Sequence, residues 1–177
     1  MSSCHYFTMP SAMPEHLISM SITYDVVAAT VTGTMVGNEI AVAAFVHPQL
    51  RRMSGRVHAQ AASMLASVLG KFMPFWYALA LILIIGAAFE HRPLANGTGL
   101  LIMMAAILLA VAIVFSVAQL VPINNRIARM DPEHPHATWL QDRCRWDRFH
   151  RARVVILTMS LVLLLTGIIQ SSIVAAS

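Results

Sequence analysis

Trp139, Arg143, Trp146, His150 and Arg153 recur at steps of three and four, so on a helix they share one face. Two indoles, an imidazole and two guanidiniums on one face suit a planar anionic or phenolic ligand, held by stacking and charge-assisted hydrogen bonds. The competing and commoner reading of the stripe alone is an interfacial helix, with tryptophans at the headgroup level and arginines on lipid phosphates. Glu39 is the second informative residue. It stands inside an apolar run, where a carboxylate costs some kcal/mol unless it is paired, protonated or facing a cavity. His47 lies about two turns further on, with an azimuthal offset of about 80°, so both can border one interior cavity. Asn38 adds a second polar group beside Glu39.

The elements that position these residues follow from composition. Of 177 residues, 58% are hydrophobic and only 11% charged, with a mean hydropathy of +0.69. Soluble domains are about 45–50% apolar and about 25% charged, so an ordinary soluble domain is excluded. The apolar residues collect into runs over 26–46, 72–89, 99–121 and 154–175, each about the 17–25 residues a bilayer requires. Continuous runs of this length are helices and not barrel strands, because hydrocarbon leaves no partner for open backbone groups. The expected fold is therefore an all-α, integral membrane four-helix bundle over 23–177, with a polar tail over 1–22. That tail lacks a basic start followed by an apolar stretch, so no signal peptide is expected. Thr138 and Gln141 form a capping-box pattern, which predicts a helix from near Trp139 running unbroken into the fourth span.

Net charge is +4 and the pI about 9.7. In this context they report topology and lipid contact, not nucleic acid. Arg51, Arg52, Arg56, Lys71, Arg126, Arg129, Arg143, Arg145, Arg148, Arg151 and Arg153 flank the first and third loops, against Arg92 alone on the other side. The positive-inside rule then predicts a multi-pass cell-membrane protein with cytoplasmic basic loops and both termini outside. Cys4 and Cys144 fall on opposite sides and cannot pair within one chain. The same topology gathers distant polar residues at one mouth: His47 and Pro48 ending the first helix, His58 before the second run, Pro122, Asn124 and Asn125 ending the third, and Arg145 to Arg153 before the fourth. Elsewhere, His134 and His136 among carboxylates and prolines read as a solvated turn in preference to a metal site. The scattered methionines read as packing. Gly33 and Gly37 permit close helix approach, within the bundle or at a homo-oligomer seam.

GNEIAVAAFVHPQL (37–50), KFMPFW (71–76), VPINNRIA (121–128) and RCRWDRFHRARVV (143–155) resemble the successive blocks of the anthrone oxygenase-like family of small four-helix membrane proteins. The resemblance spans about residues 25–170. It rests on Gly37 and Glu39, His47 and Pro48, Pro122 and Asn124, and Arg145, Trp146, His150 and Arg153. It implies oxygenation of an electron-rich aromatic or similar natural-product scaffold by dioxygen, with Glu39, Asn124 and His150 at the reacting centre. Two mechanisms are open. In one, His47 or His150 deprotonates an acidic substrate while Arg145, Arg153 and Asn124 stabilise its enolate, with no cofactor. In the other, preferred here, haem is ligated by His47 or His150 with His58 in reserve, and Arg51, Arg52, Arg145 and Arg153 hold its propionates beside Trp146. Copper on the same imidazoles is a third option. Two readings from other classes remain: a small proton-coupled transporter using Glu39, and a non-catalytic membrane subunit.

Overall fold

The computed structural model describes residues 15–95 and 97–176. Cys4 and the start of the polar tail lie outside the described residues, whereas the rest of the tail from Glu15 is already helical. Six α-helical segments follow in order: α1 (Glu15–Ala41), α2 (His47–Leu50), α3 (Gly55–Glu90), α4 (Gly97–Phe115), α5 (Val121–Ala128) and α6 (Trp139–Ala176). Together they make four helices long and apolar enough to cross a membrane: Ser21–Leu50, Gly55–Glu90, Gly97–Ala128 and Trp139–Val174. The chain is an all-α four-helix bundle and a multi-pass membrane protein.

The helices run well past the apolar runs. The 36 residues of α3 span about 54 Å at about 1.5 Å each, against about 30 Å of hydrocarbon. The apolar run marks only the lipid-facing stretch, and the helix continues wherever its neighbours bury one face. The extension lies at the basic end of the bundle, where α3 begins and α6 starts at Trp139, as the Thr138 pattern predicts.

The prolines at the basic end do not end their helices. Pro48 and Pro122 are each preceded by a π-helical turn, Val42–Val46 and Ser116–Leu120, after which the helix resumes. A proline lacks an N–H, and its ring crowds the carbonyl four residues back, here Ala44 and Ala118. One wide turn relieves both, because the preceding amides reach one residue further: His47 N–H bonds Val42 O and Val121 N–H bonds Ser116 O.

Small side chains bring the helices together. Ala80, Ala87, Ala88, Ala105, Ala106 and Ala112 are buried in a core with Ile84, Ile102, Leu109, Leu157 and Leu164. A Cβ on Gly167 would meet Ile102 Cγ1 at 2.6 Å, so only glycine lets α6 lie this close to α4. The hydroxyl of Ser160 crosses between them to Ala105 O at 2.7 Å. At the other end of the bundle, His91 Nε2 bonds Asp25 Oδ2 at 2.9 Å and ties the second span to the first. Gly33 and Gly37 have nothing within 4 Å of a Cβ position, so they do not seat a neighbouring helix within the bundle.

Candidate functional site

The stripe on α6 faces inward. Trp139, Arg143, Trp146, His150 and Arg153 are all buried, His150 to 1% exposure. The interfacial reading of these residues is thereby corrected: they face protein, not headgroups. Arg145, one step off the stripe, is exposed and lies over the Phe149 ring at 5.3 Å.

Two ion clusters are built on this stripe. In the first, Arg153 Nη2 donates to Glu39 Oε2 at 2.6 Å, with Glu39 3% and Arg153 8% exposed. The same nitrogen is 2.9 Å from His150 Nδ1, which lies 3.2 Å from Glu39 Oε2. Arg153 Nη1 reaches the Ser116 hydroxyl, on the second π-helical turn, at 3.3 Å. In the second cluster, Asp147 Oδ1 lies 2.7 Å from His47 Nδ1 and 3.2 Å from Arg143 Nη2, and its Oδ2 is 2.8 Å from Arg51 Nη2. Rings join the clusters: Trp146 stacks on His150 at 4.7 Å and lies 4.7 Å from His47. Arg143 covers the Trp146 ring at 4.8 Å. Burying carboxylates and guanidiniums is costly unless each meets an opposite charge and further hydrogen bonds; every buried charge in the two clusters meets an opposite one, while Arg143 Nε and Arg153 Nε make no hydrogen bond.

Beside the first cluster is a cavity of about 350 Å³, within the range of small-molecule sites. Its polar lining comprises Asn38, Glu39, Tyr77, Ser116, Asn124, Trp146, His150 and Arg153, and the rest is apolar apart from the α3 backbone at Gly70. Three buried polar atoms on lining residues make no hydrogen bond: His150 Nε2, Tyr77 Oη and Arg153 Nε. Asn124 donates to Ala66 O at 3.0 Å, and a Cβ on Gly70 would come within 2.8 Å of its Nδ2, so Gly70 admits this contact.

The structure thus gathers Glu39, Asn124, Trp146, His150 and Arg153 at one cavity, and sets His47 and Arg51 behind it on Asp147. It does not bring the others there. His58 is buried edge-on against Trp139, ring centroids 5.0 Å apart, and Arg52 and Arg145 are exposed. This distribution does not fit haem. Among the histidines of the described residues only His150 lines the cavity, and Arg153 there is engaged by Glu39. Arg51 is occupied by Asp147, while Arg52 and Arg145 are exposed, so the guanidinium at the cavity, Arg153, has its charge already answered by Glu39 and keeps only its Nε–H unbonded. Among the described residues no three His, Cys, Asp or Glu side chains converge as a metal would need. His134 and His136 are spent on Asp131 and Asp142, at 3.0 and 3.3 Å, and Arg56 pairs with Glu133 in the same loop. The hydrogen bond from His134 holds the Asp131 carboxyl below the usual carboxylate range. Cys144 is an exposed free thiol.

Asp147 and Tyr77 are site residues that motif reading passes over. Asp147 was legible, since it stands four residues after Arg143 and three before His150, on the inward face. Tyr77 carried no such signal, because it sits in an apolar run where a tyrosine reads as packing.

The pattern of the anthrone oxygenase family matches residues 61–163, more than half the chain. The matched stretch includes Tyr77, Asn124, Trp146, His150 and Arg153, while Glu39 and His47 precede it. No curated protein and no solved structure matches the chain. The membership points to an oxygenase-type function, and the buried stripe, the cavity and the matched segment coincide: this chain belongs to the anthrone oxygenase family.

Proposed function

We propose that this protein is a membrane-embedded, cofactor-independent oxygenase that converts an acidic CH₂ group of a phenolic aromatic, of the anthrone type, to a ketone with dioxygen. The observation that carries this reading is the set of three unpartnered buried polar atoms on residues that line one cavity, His150 Nε2, Tyr77 Oη and Arg153 Nε. His150 is the general base. Arg153 Nη2 donates to its Nδ1 at 2.9 Å; to act as base His150 takes the other tautomer, in which Nε2 presents a lone pair and Nδ1–H turns to Glu39 Oε2, 3.2 Å away, and that carboxylate stabilises the imidazolium that forms. The Tyr77 hydroxyl and the Arg153 Nε–H are donors for the enolate oxygen, in an apolar cavity where such bonds are strong.

The reaction balances without another reagent. His150 takes one proton from the CH₂ carbon, leaving an enolate. The enolate passes one electron to dioxygen, and the radical pair joins in a C–O bond to give a peroxide anion. That anion recovers the proton from His150 and eliminates water, leaving C=O. Dioxygen is reduced, the carbon is oxidised, and the enzyme is unchanged. By the charge rule the basic end, and with it the site, belongs on the cytoplasmic side, with both termini outside.

The test is oxygen uptake and anthraquinone formation with anthrone as the probe, on protein in lipid nanodiscs, over the spontaneous rate. We expect one dioxygen consumed per quinone formed, and a His150→Gln variant slower by about 10²–10⁴-fold, the usual contribution of a general base. A fully active His150→Gln variant of unchanged thermal stability overturns the assignment.

A further inference from the structure

The cavity is closed on three sides and open on the fourth. Of its residues from the first and last spans, Glu39, Val42, Trp146, His150 and Arg153 are buried and Asn38 is half-buried. Towards the basic end it is sealed by an apolar cluster of Ala62, Ala66, Leu120, Ile123, Ile127 and Trp146, with the Asp147 ion cluster beyond. Towards the other end the main core closes it, through Tyr77 and the adjoining Leu81 and Ile113. The exposed lining residues come from the second and third spans alone: Gly70, Pro74 and Ala78 on α3, and Val117 and Val121, 61% and 41% exposed, across from them.

The gap has a structural cause. Gly70, Pro74 and Ala78 stand at steps of four on one face of α3 and bear little or no side chain. Opposite them the chain makes its wide turn at Ser116–Leu120. The two spans meet again at the Asn124 to Ala66 hydrogen bond, which forms the sill of the gap. The lining residues of the rim carry no charge; Lys71 is exposed beside Gly70 at the basic end of the gap, and Phe72 and Phe75 are 68% and 78% exposed on the lipid face.

We propose that this gap is a lateral portal through which substrate and product pass between the cavity and the bilayer. Rim size makes Ala78 and Val117 specificity-determining residues. The route selects apolar, planar aromatics that partition into lipid and excludes water-borne anions, because a charged molecule would have to cross hydrocarbon to reach the rim. The identity of the occupant rests on the oxygenase reading above; the route rests on the shape of the cavity.

The test uses the full chain with Trp76→Phe and Trp139→Phe, which leave Trp146 as its one indole, in nanodiscs with anthraquinone, supplied from vesicles, as an unreactive probe whose arrival quenches the Trp146 fluorescence at the cavity. Ala78→Phe and Val117→Phe narrow the rim. Val114→Phe is the control, at a position 68% exposed that does not line the cavity. Arrival and departure both slow by about tenfold or more in the rim variants, because a narrower gate raises the barrier in both directions, whereas a clash in the bound state would speed departure. Anthraquinone-2-sulfonate, which stays in water, does not quench the wild type. Rim variants that exchange anthraquinone as fast as Val114→Phe, or a sulfonate that quenches as fast as anthraquinone, overturn the portal while leaving the oxygenase reading intact. A wild type that turns over no anthrone and binds no anthraquinone overturns the oxygenase reading itself.

Discussion

Glu39 and Arg153 meet at 2.6 Å although 114 residues separate them, and this one ion pair joins the first membrane helix to the last at the wall of the cavity. Removing either partner strands the other charge in a buried site. Loss of one member of such a pair costs about 3–5 kcal/mol, whereas apolar replacement of both is often near neutral. Glu39→Gln and Arg153→Met each lower the unfolding temperature in detergent, and the double variant recovers most of that loss. Anthrone turnover is not recovered, because the double variant lacks both the support for His150 and the Nε–H donor. A double variant with restored turnover refutes the roles assigned to the pair.

Asp147 is contacted by two guanidiniums of different exposure. Arg143 has 8% of its side chain exposed and Arg51 49%. An exposed partner is screened by water and contributes little, about 0–1 kcal/mol, whereas a buried one depends on its counter-charge. Asp147→Asn therefore destabilises the fold more than Arg51→Ala, and it also perturbs turnover by releasing His47 from its place against Trp146. Differential scanning fluorimetry of the two variants ranks them, and the reverse order would show that Arg51 is the dominant partner.

Protein produced in cells supplied with excess haem is expected to purify with no Soret band and with the same anthrone turnover as protein made without supplement. Its activity also survives dialysis against a strong chelator. A Soret band that shifts on dithionite reduction and is lost in His150→Ala would reinstate the haem ligand expected from the sequence, and would displace His150 from the role of base.

Much of this molecule was readable before folding was considered. The four spans, the helix start at Trp139 and the inward relation of Trp146, His150 and Arg153 follow from periodicity, because an α-helix converts steps of three and four into one face. The demand that Glu39 have a partner also follows from sequence, because hydrocarbon cannot solvate a carboxylate. The arginine assignments were not readable. Arg143 and Arg145 are two residues apart and identical in type, yet one is buried on Asp147 and the other lies outside over Phe149, a distinction made by about 200° of helical rotation. His58 reads as a site residue from its end of the bundle, but its ring packs against Trp139, which belongs to a separate small cluster with Ala59 and Met130.

The amino-acid sequence alone determined the class of fold, the number of crossings and the helix face that carries the chemistry, since these depend on local hydrophobicity and on the fixed pitch of a helix. Tertiary structure decided which charge answers which. Glu39 had several candidate cations at the same end of the bundle, and only the packing of the first span on the last selects Arg153. It also decided that the cavity opens between the second and third spans: the gap depends on small residues of α3 lying opposite a π-helical turn in another helix, and pairings between distant segments leave no periodicity in either one.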